Sequence, residues 1–335
     1  MSLTPQTTPE ELKRTAGELM RRSLTLPTDE ARALLEPFAI ELCRWQQARV
    51  APYGAFAAGA EPERFEDIPA VPTPLFAEVP FCSSESPQVR FQTSGTTTGR
   101  RGTHLMPDSH LADLSAKLWF DASLPDRPEA CLALVPNPRE SSDSSLGHMV
   151  GVLFPEATWG FSTRSGVDHN ACRDLLSSQR EPIFIAATAL ALADLLESID
   201  PTPLPRGSVV MVTGGYKGQR REIPEELLLE RCRELLGEPR VVREYGMTEL
   251  SSQLWDCGEG YKAPPWLVVY TVDPATGAPC EGEGLLRFVD LANWGSALAI
   301  ETRDLGVVEG GVVTLNGRLA GARIRGCSLS AEEAL

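Results

Sequence analysis

Long apolar runs and basic clusters are both missing from this sequence. No stretch approaches the roughly 20 apolar residues that span a bilayer, and the polar start, Met1 to Arg14, lacks the apolar core of a signal peptide. We therefore expect no membrane span and a cytoplasmic location. Lys and Arg total 31 against 46 Asp and Glu, and the resulting net charge of -15 repels a polyphosphate backbone. Nucleic acid is thereby excluded as an expected partner.

Paired cysteines and several catalytic signatures are missing as well. The 8 cysteines include no CxxC pair, and His104, His110 and His169 lack further ligands at metal spacing. We therefore expect neither a zinc site nor a redox couple. The GxSxG nucleophile elbow is absent, which disfavours a hydrolase of that class. The Walker signature, GxxxxGK followed by Ser or Thr, is absent too, so any nucleotide site must be of another type.

The sequence does have enough apolar material for a large core, since 42% of its 335 residues are hydrophobic. The stretch from Pro9 to Val50 repeats apolar residues every three or four positions, which predicts helices. The next stretch, Pro52 to Pro87, is rich in Pro, Gly and Ala and has no clear period. It predicts a long irregular connection that is able to cover a substrate.

Strand and helix patterns then alternate along the middle of the chain. Predicted strands cover 89–93, 131–135, 183–186, 209–213 and 240–244, and predicted helices cover 108–120, 189–199 and 224–236. This alternation predicts an α/β fold, a largely parallel sheet with helices on both faces. After about Pro264 hairpin patterns follow instead. We therefore divide the chain into a helical segment with an α/β core, residues 1–263, and a β-rich subdomain, residues 264–335.

A segment rich in Ser, Thr and Gly follows the first predicted strand of this core. It reads TSGTTTGRRG and runs from Thr93 to Gly102. Glycines let the backbone approach a ligand closely, and the surrounding N–H and hydroxyl groups can hold phosphate oxygens. The segment therefore predicts a polyphosphate site. Taken alone, the pattern is also that of an ordinary surface turn.

A second motif, EYGMTEL, runs from Glu244 to Leu250 at the end of a predicted strand. Tyr245 can stack on a purine, and Thr248 can donate a hydrogen bond to a phosphate. Glu249 can hold a Mg²⁺ ion that neutralises phosphate charge. Without the first motif this segment is equally well explained as a strand end with a solvated Glu.

The pair of motifs, in this order and about 150 residues apart, resembles the adenylate-forming superfamily of acyl-CoA ligases, luciferases and peptide-synthetase adenylation domains. The loop TGG at 213–215 resembles the superfamily's adenine-side loop. Asp304 in ETRDLG resembles its ribose-binding aspartate, and Arg318 in NGR resembles the arginine before its hinge. The resemblance covers residues 85–335. It implies ATP-dependent, Mg²⁺-dependent conversion of a carboxylic acid into an acyl-adenylate.

The same resemblance implies the binding residues. Glu249 is the implied Mg²⁺ ligand. The implied nucleotide-binding residues are Thr93, Ser94, Gly95, Thr96, Thr97, Thr98, Gly99, Gly214, Gly215, Tyr245, Gly246, Met247, Thr248, Asp304 and Arg318.

Within the superfamily, the sequence looks most like the acyl-protein synthetases of bacterial luminescence fatty-acid reductases, the LuxE type. The stretches that carry this likeness are QTSGTTTG, TGGYKG, EYGMTELSSQ and GRLAGARIRGCSLSAEEAL. In that family a cysteine near the C-terminus carries the acyl group as a thioester, and the matching residue is Cys327. The likeness implies a fatty acid as substrate and a reductase or carrier protein as the acyl acceptor.

The sequence departs from the superfamily after Arg318. Most members continue into a mobile C-terminal domain that supplies a catalytic lysine, whereas this sequence stops at Leu335, and Leu319 replaces the usual hinge aspartate. We therefore expect the domain to be absent and the positive charge to come from Lys217, with Arg100 or Arg101 sharing the role. A solvated loop lysine is the alternative for Lys217.

His148, in SSLGHMVGVLF, stands where the superfamily often has an aromatic residue or His near the substrate carboxylate. The resemblance therefore adds His148 to the candidate catalytic residues, beside Lys217 and Cys327. A histidine whose hydrogen bonds are satisfied within its helix is the alternative.

Two other functions compete with the acyl-protein synthetase. A stand-alone ligase would transfer the acyl group to coenzyme A, a carrier-protein arm or an amine, and it would not need Cys327. A non-catalytic module would only bind nucleotide or acyl groups. The retained loop at Thr93 to Gly99, together with Glu249 and Asp304, counts against the non-catalytic module.

Overall fold

The computed structural model of the protein describes residues 4, 6–93, 101–214 and 224–319. The helices are α1 (Pro9–Ser23), α2 (Thr28–Arg49), α3 (Ala51–Phe56), α4 (His110–Ser123), α5 (Ser145–Leu153), α6 (His169–Ser178), α7 (Ala189–Ser198) and α8 (Glu225–Leu236). The strands before α8 are β1 (Val71–Pro72), β2 (Val89–Gln92), β3 (Thr103–Met106), β4 (Ala130–Leu134), β5 (Thr158–Trp159), β6 (Phe161–Ser162), β7 (Gly166–Val167), β8 (Ile183–Thr188) and β9 (Val209–Thr213). The strands after α8 are β10 (Arg240–Tyr245), β11 (Leu254–Asp256), β12 (Tyr261–Lys262), β13 (Leu267–Val272), β14 (Gly284–Asp290), β15 (Ala299–Glu309) and β16 (Val312–Arg318).

The central part of the chain forms the parallel half of a large sheet. Strands β5, β4, β8, β9 and β10 lie side by side, and each adjacent pair is parallel. Buried residues of α4 and α5 pack against one face, and those of α6, α7 and α8 pack against the other. Burial on both faces explains why these strands read as continuous apolar runs. The predicted α/β architecture is confirmed.

The C-terminal part of the described chain is antiparallel and β-rich, as the hairpin patterns predict. Strands β13 to β16 pair with their neighbours in order, and β16 pairs with the short strand β12. Strands β12 and β11 then join β10, so both halves belong to one continuous sheet. The domain division at residue 264 stays a prediction.

The N-terminal helices cover the antiparallel half. Helix α1 begins at a capping box in which the backbone N–H of Glu11 donates to Thr8 Oγ1 and that of Thr8 donates to Glu11. Its buried face packs in one cluster with residues of β13, β14 and β15. The segment between α2 and β2, which we expected to be an irregular cover, instead buries Phe65, Phe76 and Phe81 in that cluster. Three apolar anchors of this size fix the segment to the core.

Strand β10 has two faces with different environments, because successive side chains of a strand point to opposite sides. Val242 packs among residues of α4 and α5, and Glu244 points to the same side. Tyr245 lies on the other face, where its ring stacks on Phe288. The carboxyl ends of β9 and β10 lie next to each other, which is where ligands bind in open α/β sheets.

None of the helices in the described part of the chain combines the length and the apolar character that crossing a bilayer requires. The cytoplasmic location stays a prediction.

Candidate functional site

The base of the Ser/Thr/Gly loop is closed by hydrogen bonds between its two ends. Thr93 follows β2 and Gly102 precedes β3, and these strands pair as an antiparallel hairpin. The N–H of Gly102 donates to Thr93 Oγ1 over 2.8 Å, and the N–H of Thr93 donates to Gly102 O over 3.0 Å. The predicted binding residues between them, Ser94, Gly95, Thr96, Thr97, Thr98 and Gly99, lie outside the described residues.

The second motif lies directly against this base. A Cβ atom added to Gly102 would stand 3.4 Å from Glu249 Oε1 and 3.1 Å from Thr93 Cγ2. A side chain at position 102 would therefore press on Thr93 and stand in contact with Glu249. The Glu249 side chain is nearly buried, with 7% exposed. Two segments that are remote in the sequence thus place a carboxyl group at the foot of the predicted phosphate loop.

His104 joins the two motifs. Its Nδ1 lies 2.8 Å from the backbone oxygen of Thr248, and its Nε2 lies 2.7 Å from Ser296 Oγ. Burial lowers the pKa of His104 to about 4, so the ring is neutral. Because a carbonyl only accepts, the proton is on Nδ1, and Ser296 donates to Nε2. In the sequence, His104 was considered only as a zinc ligand and rejected. Its position just after the loop is the feature that could have indicated a supporting role.

The turn that carries Glu249 also forms hydrogen bonds with the last residue of β14 and with the segment that follows it. Asp290 Oδ2 accepts from the backbone N–H groups of Ser251 and Ser252, over 3.0 and 2.8 Å. Asn293 Nδ2 donates to the backbone oxygen of Glu249 over 2.9 Å. Burial raises the pKa of Asp290 to about 6, although these hydrogen bonds favour its charged form. Polar residues at the end of the apolar strand β14 and directly after it were the available signal for this support.

Three residues chosen from the sequence form a second cluster. Strands β15 and β16 place Asp304 opposite Arg318, and Arg318 Nε donates to Asp304 Oδ1 over 2.8 Å. The hydroxyl of Tyr245 donates to Asp304 Oδ2 over 2.8 Å. Burial, followed by the charge of Asp304, raises the pKa of Tyr245, so this phenol stays protonated. The cluster offers carboxylate, phenol and guanidinium groups to a polar ligand such as a ribose.

Glu249 is suited to hold a metal ion only together with a ligand. Burial raises the pKa of its carboxyl group to about 7. Within the described residues there is no group of three or more His, Cys, Asp or Glu side chains that would form a metal cage. Mg²⁺ commonly binds one or two carboxylates plus substrate phosphates, so a single carboxylate beside a phosphate loop fits it. When bound, Mg²⁺ would neutralise phosphate charge there.

A cavity of about 360 Å³ opens between α5 and the carboxyl ends of β9 and β10. Its wall includes Ser145 and Met149 from α5, Thr213 and Glu244 from the strands, and Thr248 from the second motif. The cavity lies beside the Glu249 turn and so next to the predicted phosphate loop. The volume lies at the lower end of the range for small-molecule sites.

The structure does not bring His148 into this cavity. His148 belongs to α5, but its Nε2 lies 2.7 Å from Asp113 Oδ1 on α4, and its ring faces Phe91. Met149, the next residue, lines the cavity instead. A direct role for His148 at the substrate therefore has no support in this arrangement, because the helix turns that side chain towards α4.

Positive charge near the cavity comes from Arg101 among the described residues of the loop. Its Nε donates to Thr93 O over 2.9 Å, and its Nη1 lies 3.3 Å from Asp143 Oδ2. Gly214 ends the described part of the adenine-side loop with a φ of 71°, a value that favours glycine. Gly215, Lys217, Arg100 and Cys327 lie outside the described residues.

Comparison with solved structures identifies the fold of this chain. No protein-family model matches the chain, and no curated protein matches it. Apo MatB from Rhodopseudomonas palustris aligns with a TM-score of 0.52 at 15% identity, over 69% of this chain and 48% of MatB. The chain has the fold of the N-terminal domain of adenylate-forming enzymes.

Two further structures agree. The O-succinylbenzoate coenzyme A synthetase MenE from Bacillus subtilis, in complex with AMP, aligns with a TM-score of 0.50 at 19% identity, over 72% of this chain and 51% of MenE. McyG A-PCP, complexed with phenylalanyl-adenylate, aligns with a TM-score of 0.50 at 17% identity, over 70% of this chain and 41% of its own. The chain spans about half the length of the solved structures that it matches.

The family resemblance predicts that replacing Asp304 by Ala weakens nucleotide binding more than it slows chemistry. The variant removes the carboxylate that Tyr245 and Arg318 contact, and hydrogen bonds to a charged group are stronger than neutral ones. We expect KM for ATP to rise about tenfold to a hundredfold with a smaller change in kcat. Steady-state kinetics with varied ATP measure both, and the exposed Asp174→Ala on α6 is the matched control. An unchanged KM for ATP would contradict the role of this cluster.

Replacing Glu244 by Gln should change how stability depends on pH. Burial raises the pKa of Glu244 from 4.5 to about 7, and the hydroxyl of Thr213 donates to it. A raised pKa in the folded state means that stability is complete below pH 4.5 and is lost as pH rises to about 7. Gln is neutral at every pH, so the variant does not lose stability over this pH range. Between these pH values the variant should therefore gain up to about 3 kcal/mol relative to wild type, as measured by urea unfolding. A difference that is independent of pH would contradict this.

Proposed function

We propose that this chain activates a carboxylic acid with ATP. A carboxylate oxygen attacks the α-phosphorus, an acyl-adenylate forms, and pyrophosphate leaves. The observation that carries the proposal is the meeting of Glu249 with the closed base of the loop at Thr93 and Gly102. The Asp304 cluster and the adjoining cavity provide places for a ribose and for an acid. Solved structures with this fold include MenE in complex with ATP and a magnesium ion.

The second step of the proposed reaction transfers the acyl group to Cys327. Its thiolate attacks the carbonyl carbon, AMP leaves, and a thioester results, which then passes to a partner such as a reductase or carrier protein. Arg323 and Arg325 stand close in sequence and favour the thiolate. By contrast, burial raises the pKa of Cys131 to about 12 and that of Cys172 to about 11, which makes them poor nucleophiles. The family resemblance is the support for Cys327.

Transfer of the acyl group to coenzyme A is the second candidate. It is favoured by the fold neighbours, because MenE is a coenzyme A synthetase. This route needs no protein thiol. The resemblance to acyl-protein synthetases predicts a fatty acid as substrate, whereas the polar side chains in the cavity wall favour a different acid.

The positive charge needed at the α-phosphate is assigned to Lys217. Replacing Lys217 by Ala should lower the rate of adenylation at least about tenfold, because a cation placed against developing negative charge stabilises the transition state. The exchange assay described below measures it, with Lys117→Ala on α4 as the control. Full activity of Lys217→Ala would remove the assignment and leave Arg101 as the candidate.

The proposed function is tested by carboxylate-dependent exchange of labelled pyrophosphate into ATP. The protein is incubated with ATP, Mg²⁺ and a panel of short, long and aromatic acids. Exchange that depends on the acid supports adenylation, because only a reversible first step returns label to ATP. No exchange with any acid, although ATP binds, would contradict the proposal and favour a non-catalytic binding module.

A further inference from the structure

Polar and apolar atoms share the wall of the cavity about equally. Of its 17 lining residues, 11 carry hydrogen-bonding side chains, among them Gln92, Thr213, Glu244 and Gln253. Apolar side chains, such as Met149, occupy the remainder. Sites for unsubstituted alkyl chains are lined predominantly by apolar groups, since buried polar atoms without partners are costly. This cavity is therefore not built for a plain hydrocarbon chain.

Glu244 is the most informative residue of the wall. It is only 5% exposed, and within the described part of the chain it forms no ion pair. One carboxyl oxygen, Oε2, accepts from the hydroxyl of Thr213. The other, Oε1, lies where a side chain at Gly246 would stand, 2.5 Å from an added Cβ. Oε1 thus takes the place that a side chain at position 246 would occupy, and glycine there allows Glu244 to lie at the cavity wall.

The two ends of the cavity serve different parts of a substrate. Thr248 lines the end next to Glu249 and the loop base at Gly102, where a reacting carboxylate must meet the nucleotide. Glu244 lies within β10, before this turn, and we assign it to a part of the bound acid away from the reacting carboxylate. A carboxylate there accepts hydrogen bonds and attracts a cation. Burial raises the pKa of Glu244 to about 7, so both its charged and its neutral forms are available near neutral pH.

We propose that Glu244, together with Thr213, recognises a hydrogen-bond donor on the acid, so that the substrate is a carboxylic acid bearing a distal amino or hydroxyl group rather than an unsubstituted fatty acid. This inference rests on the proposed adenylation. An alkyl chain bound here would bury Glu244 and Thr213 against groups that cannot replace their water contacts. A donor group restores those contacts, and the apolar residues pack against the methylenes between donor and carboxylate.

Matched acids test the substrate class in the pyrophosphate exchange assay. Each unsubstituted acid of four to ten carbons is compared with its ω-hydroxy and ω-amino derivatives, and tetradecanoate represents long fatty acids. Sites built to bond a polar group discriminate strongly against analogues that lack it. We expect kcat/KM to be at least about tenfold higher for the best donor-bearing acid than for its parent. The amino and hydroxyl arms distinguish an ammonium partner from a neutral one.

Variants of Glu244 link that preference to the residue. Glu244→Leu should reverse the preference, so that unsubstituted acids become the better substrates. The change should appear in KM for the acid, and KM for ATP should stay the same. Glu244→Gln preserves the shape of the side chain and its contact with Thr213. This variant therefore still tests the substrate preference if the Leu variant fails to fold. In Glu244→Gln the advantage of the amino derivative should fall about tenfold, because the charge is lost. Glu225→Gln, an exposed residue of α8 outside the cavity, is the control.

Two results would overturn the inference while leaving adenylation intact. The first is exchange of unsubstituted acids, tetradecanoate included, at least as efficient as that of their donor-bearing partners. The second is an unchanged preference in both Glu244 variants. Exchange with no acid at all contradicts adenylation itself, and the inference falls with it.

Discussion

Glu249→Gln should exchange pyrophosphate about a hundredfold to a thousandfold more slowly than wild type, which is the loss seen when one charge-stabilising group is removed from a water-poor site. The side chain is 7% exposed and lies against the base of the phosphate loop at Gly102. A neutral amide in the same place keeps the shape but cannot balance the charge of a nucleotide-bound cation. The fold should survive, because Gln resembles the protonated form of this carboxyl group.

The measurement is exchange as a function of Mg²⁺ concentration. In Glu249→Gln the Mg²⁺ concentration for half-maximal exchange should rise, and added Mg²⁺ should restore part of the rate. Glu226→Gln, at an exposed position in the first turn of α8, serves as the control. Exchange within about twofold of wild type at every Mg²⁺ concentration would show that Glu249 is not the metal ligand.

Cys327→Ser should abolish the acyl-enzyme while leaving pyrophosphate exchange close to wild type. An alcohol is a far weaker nucleophile than a thiolate near neutral pH, so the adenylate still forms but has no acceptor. Intact-mass analysis after incubation with ATP and acid should show the acyl adduct in wild type only. Hydroxylamine should remove the adduct, as expected of a thioester.

The matched control is Cys280→Ser, which removes a half-buried cysteine of the described chain and should keep the adduct. An adduct that persists in Cys327→Ser would assign the acyl group to another residue. Exchange in wild type with no adduct, but with acyl transfer to added coenzyme A, would favour the stand-alone ligase.

Local patterns predicted the parts of the site that depend on short segments. Glycines and hydroxyls marked the loop that begins at Thr93, and a strand end marked Glu249. The strand patterns around Asp304 and Arg318 also predicted a hairpin, whereas the choice of these two residues came from the family resemblance. Each of these features requires only that a segment adopt its preferred local structure.

Long-range supports were not predictable in the same way. His104 forms hydrogen bonds with Thr248 and Ser296, which lie 144 and 192 positions further along the chain. Hydrophobic periodicity shows which face of an element is buried, but it does not show which residues that face contacts. Asp290 and Asn293 were missed for the same reason. His148 was a candidate for the substrate site, with a histidine satisfied within a helix as the alternative, and the rotation of α5 directs it to Asp113 on another helix.

The continuity of the sheet also could not be predicted from the sequence. Strand β12 has only 2 residues, Tyr261 and Lys262, and it joins the antiparallel half to the parallel half through β11. A strand this short has no measurable alternation of polar and apolar residues. The predicted hairpins were therefore real, but their attachment to the core depended on a link that no pattern reveals.

The two faces of β10 separate the tasks of this protein along a single strand. Tyr245 serves the side with Asp304 and Arg318, and Glu244, its immediate neighbour, serves the side with the cavity. Under the proposed function, selectivity for the acid can change during evolution or by design through substitutions on the cavity face of β10, while the residues of the opposite face continue to bind the nucleotide. A single-residue insertion in this strand would interchange the two roles. Point substitutions, rather than changes of length, are thus the open route to new substrates.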